Sequence, residues 1–253
     1  MSYFSSVLYR LRRHQKKRAF TGVRHSALDR AADYTRRNID RCKKELAEIA
    51  EITAIDREGE FTSIYSSLLR PLCHLVFSKK RKEVRSILEI GAFEGRSTIF
   101  FATYFPEARV DTVDGFDGGS DFSREIDWAE LEARFDRNVA RFQGRVTKHK
   151  GFSRIILPRL EAARRSYDLA FVDANHFHDD AYIDTVFAWA MLREGGVLIW
   201  DDYTWFSYKR PLCNPRAAID RFMDVHAGEY EAIAAAQLVF IRKLNGTESR
   251  IID

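Results

Sequence analysis

From Val84 onward the chain alternates short apolar runs with segments of helical length, and this alternation restricts the fold more than any other feature. Val84–Ile90, Arg109–Val113, Val146–Lys150, Asp168–Val172 and Gly196–Trp200 read as strands. Between them, Arg96–Tyr104, Ala129–Arg141, Ile155–Arg164 and Asp180–Leu192 read as helices. Strands joined by helices of this length form βαβ units, because a parallel partner cannot be reached by a tight turn. Asn214-Pro215 supplies an N-cap and a first-turn proline, opening another helix to about Val225. Tyr230–Leu244 reads as two strands around Ala235-Ala236. The expected fold class is α/β: a doubly wound, mostly parallel seven-stranded sheet with helices on both faces.

The first quarter of the chain has a different character. Leu28, Ala32, Thr35, Ile39, Cys42, Leu46 and Ile49 recur at alternating spacings of four and three, which predicts one long helix with a single apolar seam. That seam packs on its own domain or on a second subunit, so the N-terminal helices are the candidate surface for a homo-oligomer. A further helix is expected from Phe61 to near Ser78. Residues 1–44 hold 13 Lys or Arg against 3 Asp or Glu, whereas the whole chain has a net charge of only +4. The body is therefore mildly acidic and carries a basic appendage, with Phe4, Val7, Leu8 and Leu11 at helical spacing. That arm is the candidate for peripheral contact with an anionic membrane or with a nucleic acid. The expected division is a basic helical extension over 1–55 and a catalytic domain over 56–253. No run of 18 apolar residues exists, which excludes an ordinary membrane span. Three scattered cysteines, Cys42, Cys73 and Cys213, form neither a disulfide framework nor a zinc motif and suit a reduced, cytoplasmic setting.

Ligands of such sheets bind beyond the carboxyl ends of the strands, so those positions carry the functional reading. The first strand ends Glu89-Ile90-Gly91-Ala92-Phe93-Glu94-Gly95-Arg96-Ser97. Two glycines make a tight strand-to-helix turn, but Glu89 stands where a dinucleotide fingerprint needs its first glycine, and its charge would repel a pyrophosphate. The second strand ends in Asp114, a position suited to ribose hydroxyls. Phe171-Val172-Asp173 and Ile199-Trp200-Asp201-Asp202 place three acids on one sheet edge. Clustered anions repel unless a cation lies between them, and oxygen donors without cysteine point to Mg²⁺ or a similar divalent ion. His176, three residues past Asp173, suits a general base, with His178 a competitor by spacing alone.

Taken in order, Leu88–Ser97, Val113-Asp114, Gly151-Phe152-Ser153 with Leu157-Pro158-Arg159-Leu160, Phe171-Val172-Asp173 and Gly195–Asp202 resemble the Rossmann-like class I S-adenosylmethionine-dependent methyltransferases. Within that class they are similar to metal-dependent small-molecule O-methyltransferases of the catechol, caffeoyl-CoA and macrolide- or sugar-modifying kinds. The resemblance covers roughly residues 84–205. It implies that Glu89, Gly91, Ala92, Phe93, Gly95 and Ser97 hold the methionine end of S-adenosylmethionine. It further implies that Asp114 binds the ribose and Ser153 the adenine, with Asp173 also beside the cofactor. Asp173, Asp201 and Asp202 become the metal ligands and His176 the base. The catechol enzymes have Asn where this chain has Asp202 and Lys where it has His176. The implied reaction is methyl transfer to a hydroxyl of a small acceptor. A nucleic-acid methyltransferase and a non-catalytic scaffold are the rival readings. The strand-end acids disfavour a phosphate track beside the site, so nucleic acid is not the expected partner.

Overall fold

The computed structural model describes residues 26–61, 68–117 and 127–246. The basic arm over 1–20, residues 62–67 of the helix expected after Phe61, and most of the Gly115–Asp127 loop lie outside the described residues. Seven strands form one sheet: β1 (Ser86–Ile90), β2 (Arg109–Asp114), β3 (Val146–Lys150), β4 (Tyr167–Val172), β5 (Leu192–Trp200), β6 (Tyr230–Ala235) and β7 (Val239–Lys243). Their order is β3-β2-β1-β4-β5-β7-β6. The first five are mutually parallel, and β7 runs antiparallel to both its neighbours. The chain winds outward from β1 to β3 and then crosses back to β4. The crevice between the ends of β1 and β4 is therefore the switch point where such sheets take ligands.

Among the described residues eight α-helices accompany the sheet: α1 (Ser26–Ala47), α2 (Ala50–Glu58), α3 (Leu69–Phe77), α4 (Arg96–Tyr104), α5 (Trp128–Val139), α6 (Ser153–Ala162), α7 (His178–Met191) and α8 (Pro215–Val225). Alternating strand residues feed two cores, as the two-residue period of a strand requires. Ile87, Leu169, Phe171, Val197 and Ile199 face α2, α3, α4 and the C-terminal half of α1. Leu88, Ile90, Ala170, Val172, Leu198 and Trp200 face α6, α7 and α8. A small third cluster, Ala92, Phe116, Leu131 and Phe135, seats α5 on the first glycine loop.

The expected seam is real but shorter. Leu28, Ala31, Thr35, Ile39, Cys42 and Leu46 are buried along α1. The helix stops at Ala47 because Ile49 takes an extended backbone, which turns the chain so that Ile52 and Ile55 of α2 enter the core. The seam packs on this chain's own sheet and helices: Thr35 Oγ1 accepts a hydrogen bond from the Ala235 amide at 3.1 Å. His74 of α3 ties the same helix down, with Nε2 2.9 Å from Glu45 and Nδ1 2.9 Å from the Tyr104 hydroxyl. The three cysteines are free thiols. Among the described residues no helix is long and apolar enough to cross a membrane.

Candidate active site

The strands do more than point at the site; their hydrogen-bond ladder continues into it. The Gly91 amide donates to the Val113 carbonyl at 2.9 Å, Asp173 to Ile90 at 2.8 Å, Asp201 to Val172 at 3.2 Å and Gly151 to Asp114 at 2.9 Å. Each loop therefore leaves its strand still in register with the neighbour. This holds the first glycine loop, Asp173 and Asp201 side by side at the carboxyl edge.

The glycine loop is built for close approach. Gly91 has φ +91°, and a Cβ there would lie 2.0 Å from the carbonyl oxygen of Asp173. Only glycine permits both that backbone conformation and that contact. Gly95, at φ +81°, begins α4. Asp114 clamps the loop: its Oδ2 accepts from the amides of Ala92 and Phe93 at 2.7 and 2.9 Å, and its Oδ1 from Phe116 at 2.7 Å. A carboxylate offers about four acceptor positions, so Asp114 keeps capacity for a further donor while holding three amides in place. Glu94 is buried and paired with Arg134 at 2.6 Å. The Asn138 side chain donates to its carbonyl at 2.8 Å. Sequence reasoning missed these supports, because they come from α5, whose register on the loop is a tertiary fact.

Glu89 is fully buried at the end of β1. Burial pushes its carboxyl up to about 7, the hydroxyls of Ser97, Thr98 and Thr112 draw it back, and the charge of Asp114 raises it again. Thr98 Oγ1 donates to its Oε2. Ser97 is buried in the first turn of α4, and Ser153 is the first residue of α6 with part of its surface open.

Across the switch point, Asp173, His176 and Asp202 each offer a donor atom within 4.8 Å of the others. His176 Nε2 lies 2.8 Å from Asp202 Oδ2. Its ring stacks on Trp205 with centroids 4.6 Å apart and planes 15° from parallel. Tyr208 meets the edge of Trp205, and the half-exposed Phe177 meets Tyr208, so an aromatic wall flanks the imidazole. The stacking of Trp205 on His176 has no signal in the sequence. His178 turns the other way, toward Asp179 at 2.7 Å and Tyr182.

Asp201 adjoins this group without belonging to it by the same distance. Its carboxyl is held well above the usual range by burial first and then by the charge of Asp202, with His176 opposing. Its Oδ1 is buried without a hydrogen-bond partner. Asp173 is raised in the same direction by burial, then by Asp201 and Asp202. A cavity of about 20 Å³ reaches Asp173, His176 and Asp202 with Trp200, Pro215 and Ile219 on its apolar side. That is room for one water or one ion. Hard oxygen donors, one imidazole, an orphaned carboxylate oxygen and mutual repulsion together fit a divalent cation.

Residues 88–203 match the family model of a methyltransferase domain. That match covers the parallel strands, the glycine loop and the acids at the carboxyl edge. No curated protein matches its sequence. Its fold is similar to that of the O-methyltransferase TomG from Streptomyces achromogenes, which is involved in tomaymycin synthesis and was solved in complex with S-adenosylmethionine. The TM-score is 0.55, with 20% identity over 88% of this chain and 91% of that one. An O-methyltransferase from Bacillus cereus in complex with S-adenosylhomocysteine aligns at TM-score 0.53 and 18% identity, over 85% and 99% of the two chains. The methyltransferase MycE of mycinamycin biosynthesis, solved with Mg and S-adenosylhomocysteine, aligns at TM-score 0.54 and 15% identity. That alignment covers 76% of this chain but 53% of MycE.

Proposed function

We propose that this methyltransferase moves a methyl group from S-adenosylmethionine to a hydroxyl of a small molecule, aided by a divalent cation and by His176 as base. The observation that carries the reading is the meeting of Asp173, His176 and Asp202 within 4.8 Å, beside a glycine loop packed against Asp173 itself. A methyl donor in that loop and an acceptor at that cluster are neighbours by construction. Holding sulfonium and oxygen in line removes much of the entropic part of the barrier.

The site residues divide the work. Gly91, Ala92, Phe93 and Gly95 give the donor a close backbone surface, with Glu89 and Ser97 beneath it. Asp114 fixes that surface and takes a ribose hydroxyl with its remaining acceptor capacity, and Ser153 stands at the adenine end. Asp173 and Asp202, with Asp201 behind them, would hold the cation. Mg²⁺ is the ion bound in MycE, and a bound divalent ion lowers the pKa of a hydroxyl that it meets. His176 takes the proton of the acceptor hydroxyl, with Asp202 and Trp205 fixing the plane of its ring. A neutral imidazole has one ring nitrogen of accepting character, the one that takes a proton.

The site is acidic and has an aromatic flank, which suits a neutral, ring-bearing acceptor better than a phosphate backbone. The test is a set of titrations on one preparation. Calorimetry should show S-adenosylhomocysteine binding with and without chelator, and methyl transfer to hydroxylated aromatic acceptors should vanish on chelation and return with Mg²⁺. Full turnover in chelator with no bound metal would overturn the metal reading while leaving the donor site standing.

A further inference from the structure

The opposite edge of the sheet has no part in the chemistry above, yet it carries a concentration of exposed cationic side chains. The segments that enter the parallel strands are cationic. Lys79 and Lys82 precede β1, Arg109 opens β2, and Arg164 and Arg165 precede β4; all five are exposed. Among the described residues none of the five lies within ion-pair distance of a carboxylate, in contrast to Arg85 with Glu107 at 3.0 Å and Lys80 with Glu83 at 3.9 Å. Arg81 and Arg145 donate to backbone carbonyls, so their charges also stay uncompensated. The exposed acids left over are Glu161 and Glu194.

The topology makes these separate segments one surface. β1 lies between β2 and β4, and Ser86 pairs with Arg109. The Asp168 carboxylate accepts from the Arg85 and Ser86 amides, which ties the entry of β4 to that of β1. With strands about 4.8 Å apart, the five parallel strand entries span about 20 Å.

We propose that this amino edge docks on the anionic headgroups of a lipid bilayer. A broad surface of exposed cations suits a plane of phosphates, and each Lys or Arg near such a surface contributes about fivefold to partitioning. Single-stranded nucleic acid asks for exposed aromatic platforms, and the exposed Phe152 and Phe177 both lie at the carboxyl edge. Nucleic acid held at this edge would also sit on the far side of the sheet from the methyl-transfer site. Docked through this edge, the enzyme keeps its acidic mouth turned away from the like-charged membrane and open to acceptor. The surface is independent of the reading of the active site.

The test is sedimentation of the full chain with vesicles of phosphatidylcholine, with and without 30% phosphatidylglycerol, at low salt and at 0.5 M salt. Binding is expected on the anionic vesicles alone and at low salt alone. The full-chain variant Lys79→Gln, Lys82→Gln, Arg164→Gln, Arg165→Gln should partition about 600-fold more weakly, at fivefold per charge. Its S-adenosylhomocysteine affinity should stay unchanged, which shows that it is folded. The control Lys209→Gln, Arg210→Gln, at the carboxyl edge, should bind vesicles like the parent. Vesicle binding unaltered in the four-site variant overturns the proposal and assigns the membrane contact to residues 1–25. Absence of vesicle binding overturns it too, and tight binding of mixed-sequence RNA in that case would make the edge a nucleic-acid surface.

Discussion

Asp168 and Asp173 sit at the two ends of β4, the same residue type on the same strand, in opposite circumstances. Asp168, at the entry, is 4% exposed and fully used. It accepts from the amides of Arg85 and Ser86 and pairs with Arg193. Asp173, just past the exit, has Asp201 and Asp202 as its electrostatic neighbours, and its carboxyl is pushed up by burial and by both of them. The entry is an edge where charge has been matched or left to water. At the exit charge has been gathered and left uncompensated. A fold gains nothing by itself from uncompensated buried charge. The exit therefore marks where a ligand supplies the missing partner, and the contrast reads function without reference to any relative.

The largest effect that sharpens this contrast belongs to His176. His176→Ala should lower turnover by about 10²–10⁴-fold, the usual contribution of a positioned base. Metal affinity by calorimetry should change little if His176 carries a proton alone. Loss of metal binding would make it a ligand in the cluster with Asp173 and Asp202.

Next come the two ends of β4, where the same substitution should change sign. Asp168→Asn replaces an acceptor of two amides and an arginine partner with a group that is half donor, and should cost about 3 kcal/mol of stability in urea unfolding. Asp173→Asn, measured at pH 8 in chelator, should leave stability unchanged or raise it, because it removes a buried like charge, while methyl transfer is lost. If both variants lose stability equally, the exit acids are as structural as the entry acid and the contrast fails.

How much of this was legible beforehand differs between the two edges. The strands were legible because their residues are apolar on both faces, as in Leu169–Val172 and Val197–Trp200, and the exit acids stand out against such runs. The class of fold and of enzyme followed from the glycine loop and those acids in order. The break between α1 and α2 was not legible, since Ile49 is an apolar residue at seam spacing and only its backbone reveals it. The clamp by Asp114 was hidden for a different reason. Its partners are backbone amides, which every sequence possesses. The stack of His176 on Trp205 joins residues 29 positions apart that no periodicity relates.

A smaller effect tests whether buried uncompensated charge marks the site alone. Asp184 of α7 is 1% exposed, beside Ser153 of α6 and with no cationic group among the causes of its shift. Burial pushes its carboxyl up to about 7, with the Ser153 hydroxyl opposing and Asp180 adding to the rise. A carboxyl raised in the folded state binds its proton more tightly there than in the unfolded chain, where it titrates near 3.9. Stability is therefore highest at low pH, falls as pH rises from about 4 to about 7, and stays reduced above that. Asp184→Asn should remove this dependence, so its advantage over the parent should be near zero at pH 4 and on the order of 4 kcal/mol at pH 8. A constant difference across that range would show that Asp184 is ionised and satisfied in solution.

The smallest effect concerns the aromatic wall. Trp205 contributes to the exit by holding the His176 ring in one plane, and a stacked pair of this kind is worth about 0.5–1.5 kcal/mol. Trp205→Leu should therefore lower kcat by about two- to tenfold, far less than His176→Ala. Trp205→Phe keeps a ring and should recover most of the loss. The informative readout is the pH profile of kcat. A base held by stacking and by Asp202 titrates differently once one of the two holds is gone, so the acid limb of the profile should move in Trp205→Leu and return in Trp205→Phe. A fall in kcat with the acid limb unmoved, joined to a rise in KM, would instead make Trp205 a wall of the acceptor pocket that acts on the substrate and leaves the base alone.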